Sequence, residues 1–181
     1  FYLNGKIKVS YLYLGLILIG VFDLWNISSK TLHWEAASQK EQIFAKSDYV
    51  NFILNKDPQT FQYRIGEMNR GQLATSNFLA YYDLHQFNGY HGAKIRIYQD
   101  AIDVVGGNNP NLLSLANVKY LISDSPLQDT NFTQVFKGTK LVYENKNYLP
   151  RAFFVNEYKV DTGLNILNNI KNGVFNPRET A

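Results

Sequence analysis

The sequence predicts an α/β (α+β) chain: an N-terminal transmembrane helix followed by one mixed helix and sheet domain. Three observations carry that expectation. Residues 9–22 contain no charged side chain. Beyond them, stretches of helical period with recognisable caps alternate with short stretches of period two. Helices interleaved with strands in this way point to a mixed domain with one layer of each.

The apolar segment comes first. Lys6 and Lys8 precede it, and Asp23, Leu24 and Trp25 close it. Residues 9–22 alone fall short of the roughly 17–25 that a spanning helix needs. Residues 7–25, with Lys8 snorkelling outward, supply about 19 residues and roughly 28 Å of helix, near the thickness of the hydrocarbon core. Tyr11 and Tyr13 towards one end and Trp25 at the other suit the aromatic belts of a bilayer. A buried helix of a soluble protein would be equally apolar. A signal peptide would need a small-residue cleavage site after the run, and none follows at the right distance. Lys6 and Lys8 crowd the N-terminal flank, whereas Asp23 and Glu35 dilute Lys30, Lys40 and Lys46 on the other side. The positive-inside tendency then puts Phe1 towards the cytoplasm. The expected organisation is a transmembrane helix with a short cytoplasmic flank over residues 1–25, and one extracytoplasmic domain over residues 26–181. A chain that opens on Phe1 rather than Met reads as a piece of a longer polypeptide, truncated at its C-terminus as well.

The elements of the domain follow in order. Residues 39–54 predict a helix with Ile43, Val50 and Leu54 near helical spacing, ended by Asp57-Pro58. Residues 61–65 alternate, placing Phe61, Tyr63 and Ile65 on one strand face. Residues 66–92 are irregular, polar and glycine-containing, the kind of long connection that is usually functional or disordered. Residues 93–105 predict the best helix of the domain, with Ile95, Tyr98, Ile102 and Val105 inward and Gly106-Gly107 as its stop. Asn109 then caps a helix with Pro110 in its first turn, ending near Asn117. Residues 118–123 alternate as a strand with Val118, Tyr120 and Ile122 on one side. Residues 140–143 and 151–155 predict two more strands, and Pro150 suits a strand start or edge. Asp161 can cap a last helix, with Leu164, Leu167 and Ile170 inward and Gly173 as its stop.

Composition excludes several classes of function. The net charge of +3 is small and scattered, with no basic stripe for nucleic acid. There is no cysteine, hence no disulfide, thiolate metal site or cysteine nucleophile. The 13 Tyr and 12 Phe fit a sheet core, and some of them fit a platform for sugar rings. No metal-ligand spacing occurs among His33, His85 and His91, and no nucleophile elbow, phosphate loop or dinucleotide fingerprint is present. Asp100 and Asp103 share a helix face and suit acid/base work, although such pairs are usually solvated surface. Neither a catalytic residue nor a metal or cofactor site is expected.

The densest cluster of reactive side chains spans residues 88–100. Gly89 and Gly92 flank Tyr90 and His91 and lead the backbone into a helix. The free N–H groups of that helix start, with Lys94 beside them, suit phosphate or carboxylate. The alternative is a loop in which Tyr90 and His91 only bond neighbouring backbone. Lys94 and Arg96 lie two apart and point to different sides. Arg151 has a planar fork suited to carboxylate or phosphate, and equally to a salt bridge with Glu144 or Glu157. Tyr90, His91, Lys94, Tyr98 and Arg151 are the candidate substrate contacts.

These residues also carry a resemblance. Gly89-Tyr90-His91-Gly92-Ala93-Lys94, followed by Tyr98-Gln99-Asp100, resembles the YfhO-type family of bacterial multi-spanning membrane proteins. So do Leu115-Ala116-Asn117-Val118-Lys119-Tyr120-Leu121-Ile122, Val142-Tyr143-Glu144-Asn145 and Leu149-Pro150-Arg151-Ala152-Phe153. The ordered set, with the apolar segment ending in Asp23-Leu24-Trp25, spans nearly the whole chain. That family is similar to the large C-class membrane glycosyltransferases, which draw sugars from polyprenyl-phosphate carriers. The resemblance implies catalysis by acidic residues near the first membrane helices of the parent protein, none of which maps onto this chain. It implies a bacterial cell-membrane location and, as partners, the lipid bilayer, upstream spanning helices of the same polypeptide, and a glycan or polyprenyl-phosphate sugar. This part would be non-catalytic and would position substrate. A membrane-anchored ligand-binding or sensor module without enzymatic activity is the competing expectation.

Overall fold

Val9–Thr31 forms one uninterrupted helix, α1. Its 23 residues reach about 35 Å. Four successive residues, Leu16, Ile17, Leu18 and Ile19, are each more than half exposed, so the helix is apolar on every side. A helix of that kind belongs in a protein core or a bilayer, and no residue of α1 is buried. It is long and apolar enough to cross a membrane. Asp23 and Trp25 do not end it, and the turn from Asn26 to Thr31 continues it, with the Thr31 hydroxyl donating back to the Ile27 carbonyl at 3.0 Å.

The computed structural model describes residues 8–32, 41–174 and 176–180, in two units, Phe1–Ala45 and Lys46–Ala181. Lys6, Ile7, His33, Glu35, Lys40 and the start of the helix expected over 39–54 lie outside the described residues. The second unit holds α2 (Asp48–Lys56), β1 (Arg64–Asn69), β2 (Gln72–Leu73), α3 (Arg96–Val105), α4 (Pro110–Leu115), β3 (Val118–Ser123), β4 (Phe132–Lys137), β5 (Leu141–Asn145) and α5 (Gly163–Asn172). Two short 3₁₀ turns, Thr60–Gln62 and Phe78–Tyr82, complete it.

The five strands form one mixed sheet in the order β2-β1-β3-β5-β4. β1 and β3 are parallel and every other pair is antiparallel. Parallel neighbours need a long crossover, and here that crossover contains the residue 74–95 connection, α3 and α4. Alternation along the strands separates two cores. Ile65, Tyr120, Ile122 and Val142 meet Tyr49, Val50 and Ile53 of α2. Met68, Leu121 and Tyr143 face the other way, towards Val105, Leu112, Leu113 and Ile170 of α3, α4 and α5. Helices therefore cover both faces of the sheet, rather than the single face that one layer of each implies.

Several sequence expectations meet corrections. The 39–54 helix is interrupted at residues 45–47, and α2 begins at Asp48 after Ser47. The strand expected over 61–65 starts only at Arg64 and runs on to Asn69, because Thr60–Gln62 turns as 3₁₀ helix; Phe61 is exposed while Tyr63 and Ile65 are buried. Residues 66–92 are not irregular throughout, since they hold most of β1, all of β2 and a 3₁₀ turn. Within β3, Val118 joins Leu121 and not Tyr120, because a bulge pairs Arg64 with Val118 and Ile65 with Tyr120. The extra residue, Lys119, sends its ammonium to Asp57 and over the rings of Tyr63, Tyr120 and Tyr148 at 5.5, 5.3 and 5.4 Å.

The later elements divide in the same way. Asn109 caps α4 as its sequence implies, its side chain accepting from the Asn111 and Leu112 amides at 2.9 and 3.3 Å. β5 covers 141–145, whereas residues 151–155 form no strand. β4, which has no clear alternation, is a strand that sequence reasoning missed, as is the two-residue β2. The cap of α5 is Thr162, not Asp161, although Asp161 supports it by accepting from the Thr162 amide and the Asn165 side chain. Leu164 is exposed, Leu167 half-buried and Ile170 buried; Gly173, at φ 64°, ends the helix.

Candidate functional site

A cleft of about 810 Å³ opens between the residue 73–95 connection and the first turns of α3. Its geometry grows out of β1. The short β2 leaves the first half of that strand without a neighbour on one side. Residues 85–87 fill the gap, with the Ile65 amide donating to the His85 carbonyl and the Phe87 amide donating to the Ile65 carbonyl, both at 2.8 Å. Asn88 continues the pairing with its side chain. Its Oδ1 accepts from the Glu67 amide at 2.9 Å, and its Nδ2 donates to the carbonyls of Glu67 and Ala74.

The loop then turns at Gly89 for a definite reason. Gly89 holds φ 153°, and a Cβ there would lie 2.3 Å from Asn77 Oδ1. No other residue fits. The Asn77 amide comes so close because it clasps Tyr90 at both ends, accepting from the Tyr90 amide and donating to its carbonyl at 2.9 Å each. The Tyr90 ring is left three-quarters exposed over the cleft. His91 folds back on its own loop, with Nδ1 accepting from the Ala93 amide at 3.1 Å.

Lys94 lines the cleft just before α3. α3 starts at Arg96 rather than residue 93, so Ile95 is its N-cap and lies exposed instead of inward. Ile95 has no side chain able to accept from the first turn, and that turn carries no acid. The N–H groups at the start of α3 thus keep partial positive charge, and Lys94 precedes that start by two residues. Tyr98 sits deeper. It packs edge-on against Phe87 at 5.6 Å and donates its hydroxyl to the Phe87 carbonyl. Burial pushes the Tyr98 phenol above its ordinary value, against a smaller opposing pull from Arg64. Tyr98 is a neutral donor throughout the physiological range.

The structure brings Tyr90, His91, Lys94 and Tyr98 together and leaves Arg151 out of the cleft. Arg151 donates to the Tyr63 carbonyl at 3.3 Å and forms no ion pair among the described residues. The expected partner Glu144 is taken by Lys56 at 2.8 Å. Arg151 instead lies near Arg64, whose guanidinium is made less basic by burial and, secondly, by that neighbouring charge. Arg96 turns away from the cleft to pair with Asp100 at 3.7 Å, while Asp103 accepts from Gln99 at 2.7 Å. Asp100 and Asp103 are thus engaged separately. Asn77 and Asn88 shape the cleft, and sequence reasoning gave Asn77 no role and placed Asn88 only at the start of the 88–100 cluster. Their partners lie 13 and 21 residues away. The only local trace was Asn88 standing immediately before a glycine.

Among the described residues no group of His, Asp and Glu could hold a metal ion. Comparison with known proteins places the chain in no family: no family model, no curated protein and no solved structure matches it.

Proposed function

We propose that the chain is a membrane-tethered, non-catalytic binding domain that positions an anionic glycolipid substrate, such as a polyprenyl-phosphate sugar, in a YfhO-like protein of the bacterial cell membrane. The observation that carries this reading is the cleft itself. Lys94, the N-cap residue of an uncapped helix and two tyrosines line it, with Asp83 as its one carboxylate among the described residues; the cation, the helix start and the rings suit a phosphate flanked by an apolar or sugar-like group. The apolar α1 supports the tether. With Lys8 on its N-terminal flank and residues 26–181 outside the cell, the cleft would face the compartment in which lipid-linked sugars are used.

The direct test titrates a short-chain polyprenyl phosphate against the full chain in lipid nanodiscs, wild type and Lys94→Ala. Loss of one exposed charge contact of about 1 kcal/mol predicts about fivefold weaker binding for the variant. Equal affinities would remove Lys94 from the site. Orientation is separately testable, because the chain has no cysteine. A Ser125→Cys variant should react with an impermeant maleimide on intact cells.

The second reading, an anchored sensor module without an enzyme, uses the same cleft and the same α1. The intact reading frame separates the two. Many upstream spanning helices fit the transferase-like parent, and one or two fit the sensor.

A further inference from the structure

A second cleft shares no lining residue with the first. It has a volume of about 460 Å³ and lies where α4, the turn after β5 and the C-terminal end of α5 meet. Asparagine dominates its wall, with Asn111 from α4, Asn131, Asn147 and Asn176 contributed by four separate segments. Its apolar lining includes Leu149 and Ile170, at 1% and 8% exposure. Arg178 is the one charged group lining it among the described residues.

Asn131 and Asn176 are occupied locally. Asn131 donates to Asp129 at 2.7 Å, and Asn176 accepts from the Arg178 amide at 3.1 Å. The Asn111 and Asn147 side chains make no hydrogen bond among the described residues. Each therefore presents one acceptor and two donors to the cleft. Gly173 makes room for one of them: its φ is 64°, and a Cβ there would lie 3.1 Å from Asn111 Nδ2. Arg178 is held in place by donating from Nη2 to the carbonyls of Asn147 and Tyr148 at 3.2 and 3.3 Å. Its other N–H groups remain available. Ser114 Oγ accepts from Asn145 at 3.0 Å and keeps its own proton to give.

Free amides carry donor and acceptor side by side, and so do the adjacent hydroxyls of a sugar ring. The apolar wall suits the C–H face of the same ring. An uncharged ring uses both the donors and the acceptors of these amides, whereas a carboxylate or phosphate would use only their donors and the Arg178 fork. We infer that this asparagine-lined cleft is a saccharide-binding site for an uncharged hexose unit, with Asn111 and Asn147 as its specificity-determining amides. It stands on its own geometry and does not rest on the phosphate reading of the first cleft.

The test is saturation-transfer NMR and calorimetry on the full chain with methyl glycosides of glucose, galactose, mannose and N-acetylglucosamine. Amine-oxide micelles replace sugar-headed detergents, which would compete for the site. One glycoside should bind saturably, with a dissociation constant on the order of millimolar for so small a ligand. Asn111→Ala/Asn147→Ala should weaken it by about tenfold or more, and Asn111→Leu, which keeps the branched shape of the side chain without its donors and acceptor, should weaken it as well. Lys94→Ala should leave it unchanged. Both amides are exposed and without internal partners, so the variants keep the wild-type circular dichroism. Failure of every glycoside to bind wild type would overturn the inference, as would binding indifferent to both substitutions. Sensitivity to Lys94→Ala alone would assign the sugar to the first cleft and overturn it equally.

Discussion

Asn117 shows how much one polar side chain holds in this domain. It closes the turn between α4 and β3 at φ 66°, is 2% exposed, and donates to the carbonyls of Gln62 and Leu149 at 3.1 and 2.7 Å. Ala there leaves both carbonyls unsatisfied, at about 1–3 kcal/mol, and adds about 1–2 kcal/mol of left-handed strain. Urea unfolding of Asn117→Ala should show the sum, and Asn117→Gly should recover only the strain. Asp48 makes a pH-dependent contribution instead. Its carboxylate accepts from the hydroxyl and amide of Thr139, and these bonds hold it below its ordinary value of 3.8. A depressed carboxylate stabilises the fold above that ordinary value and loses its contribution as pH falls through the folded one. Thermal midpoints should therefore drop as pH falls below about 4. Asp48→Asn should flatten that decline, and an unchanged acid limb would exclude this contribution. Neither role was legible in the sequence. Thr139 is 91 residues from Asp48, and Leu149 is 32 from Asn117.

At the scale of elements, local signals worked where their partner lay within a few residues. The Asn109 cap and Pro110 start α4 by bonds that span two and three residues. Asn109→Ala should cost about 1 kcal/mol, read as a lowered denaturation midpoint with an unchanged slope. The same logic read Gly106 and Gly173 as helix stops. It failed for strands, because alternation reports an apolar face and not a free neighbour. Residues 151–155 look like a strand, yet β5 is already flanked by β3 and β4. Those residues have no edge there to join. β4 escaped notice for the converse reason. Because it is an edge strand, most of its residues are at least partly exposed, so no burial pattern needed to be written into it.

At the scale of the whole molecule, both cores draw every buried member from residues 49–170. A chain beginning at Lys46 should accordingly fold without detergent and keep a cooperative thermal transition, whereas the full chain should require lipid or detergent. Aggregation of that shorter protein under mild conditions would show that α1 belongs to the fold and not to a bilayer.

Taken alone, the residue order settled the properties that depend on near neighbours: an apolar helix at the start, capped helices after it, the β3 strand and an α+β class. Tertiary structure decided the parallel pairing of β1 with β3, the helices on both sheet faces, the clasp of Asn77 on Tyr90 and the exclusion of Arg151 from the cleft. Hydropathy period and capping are written within a few consecutive residues and can be read there. Pairings across tens of residues depend on which edges and faces remain open once the sheet has formed, and no short window of sequence contains that competition.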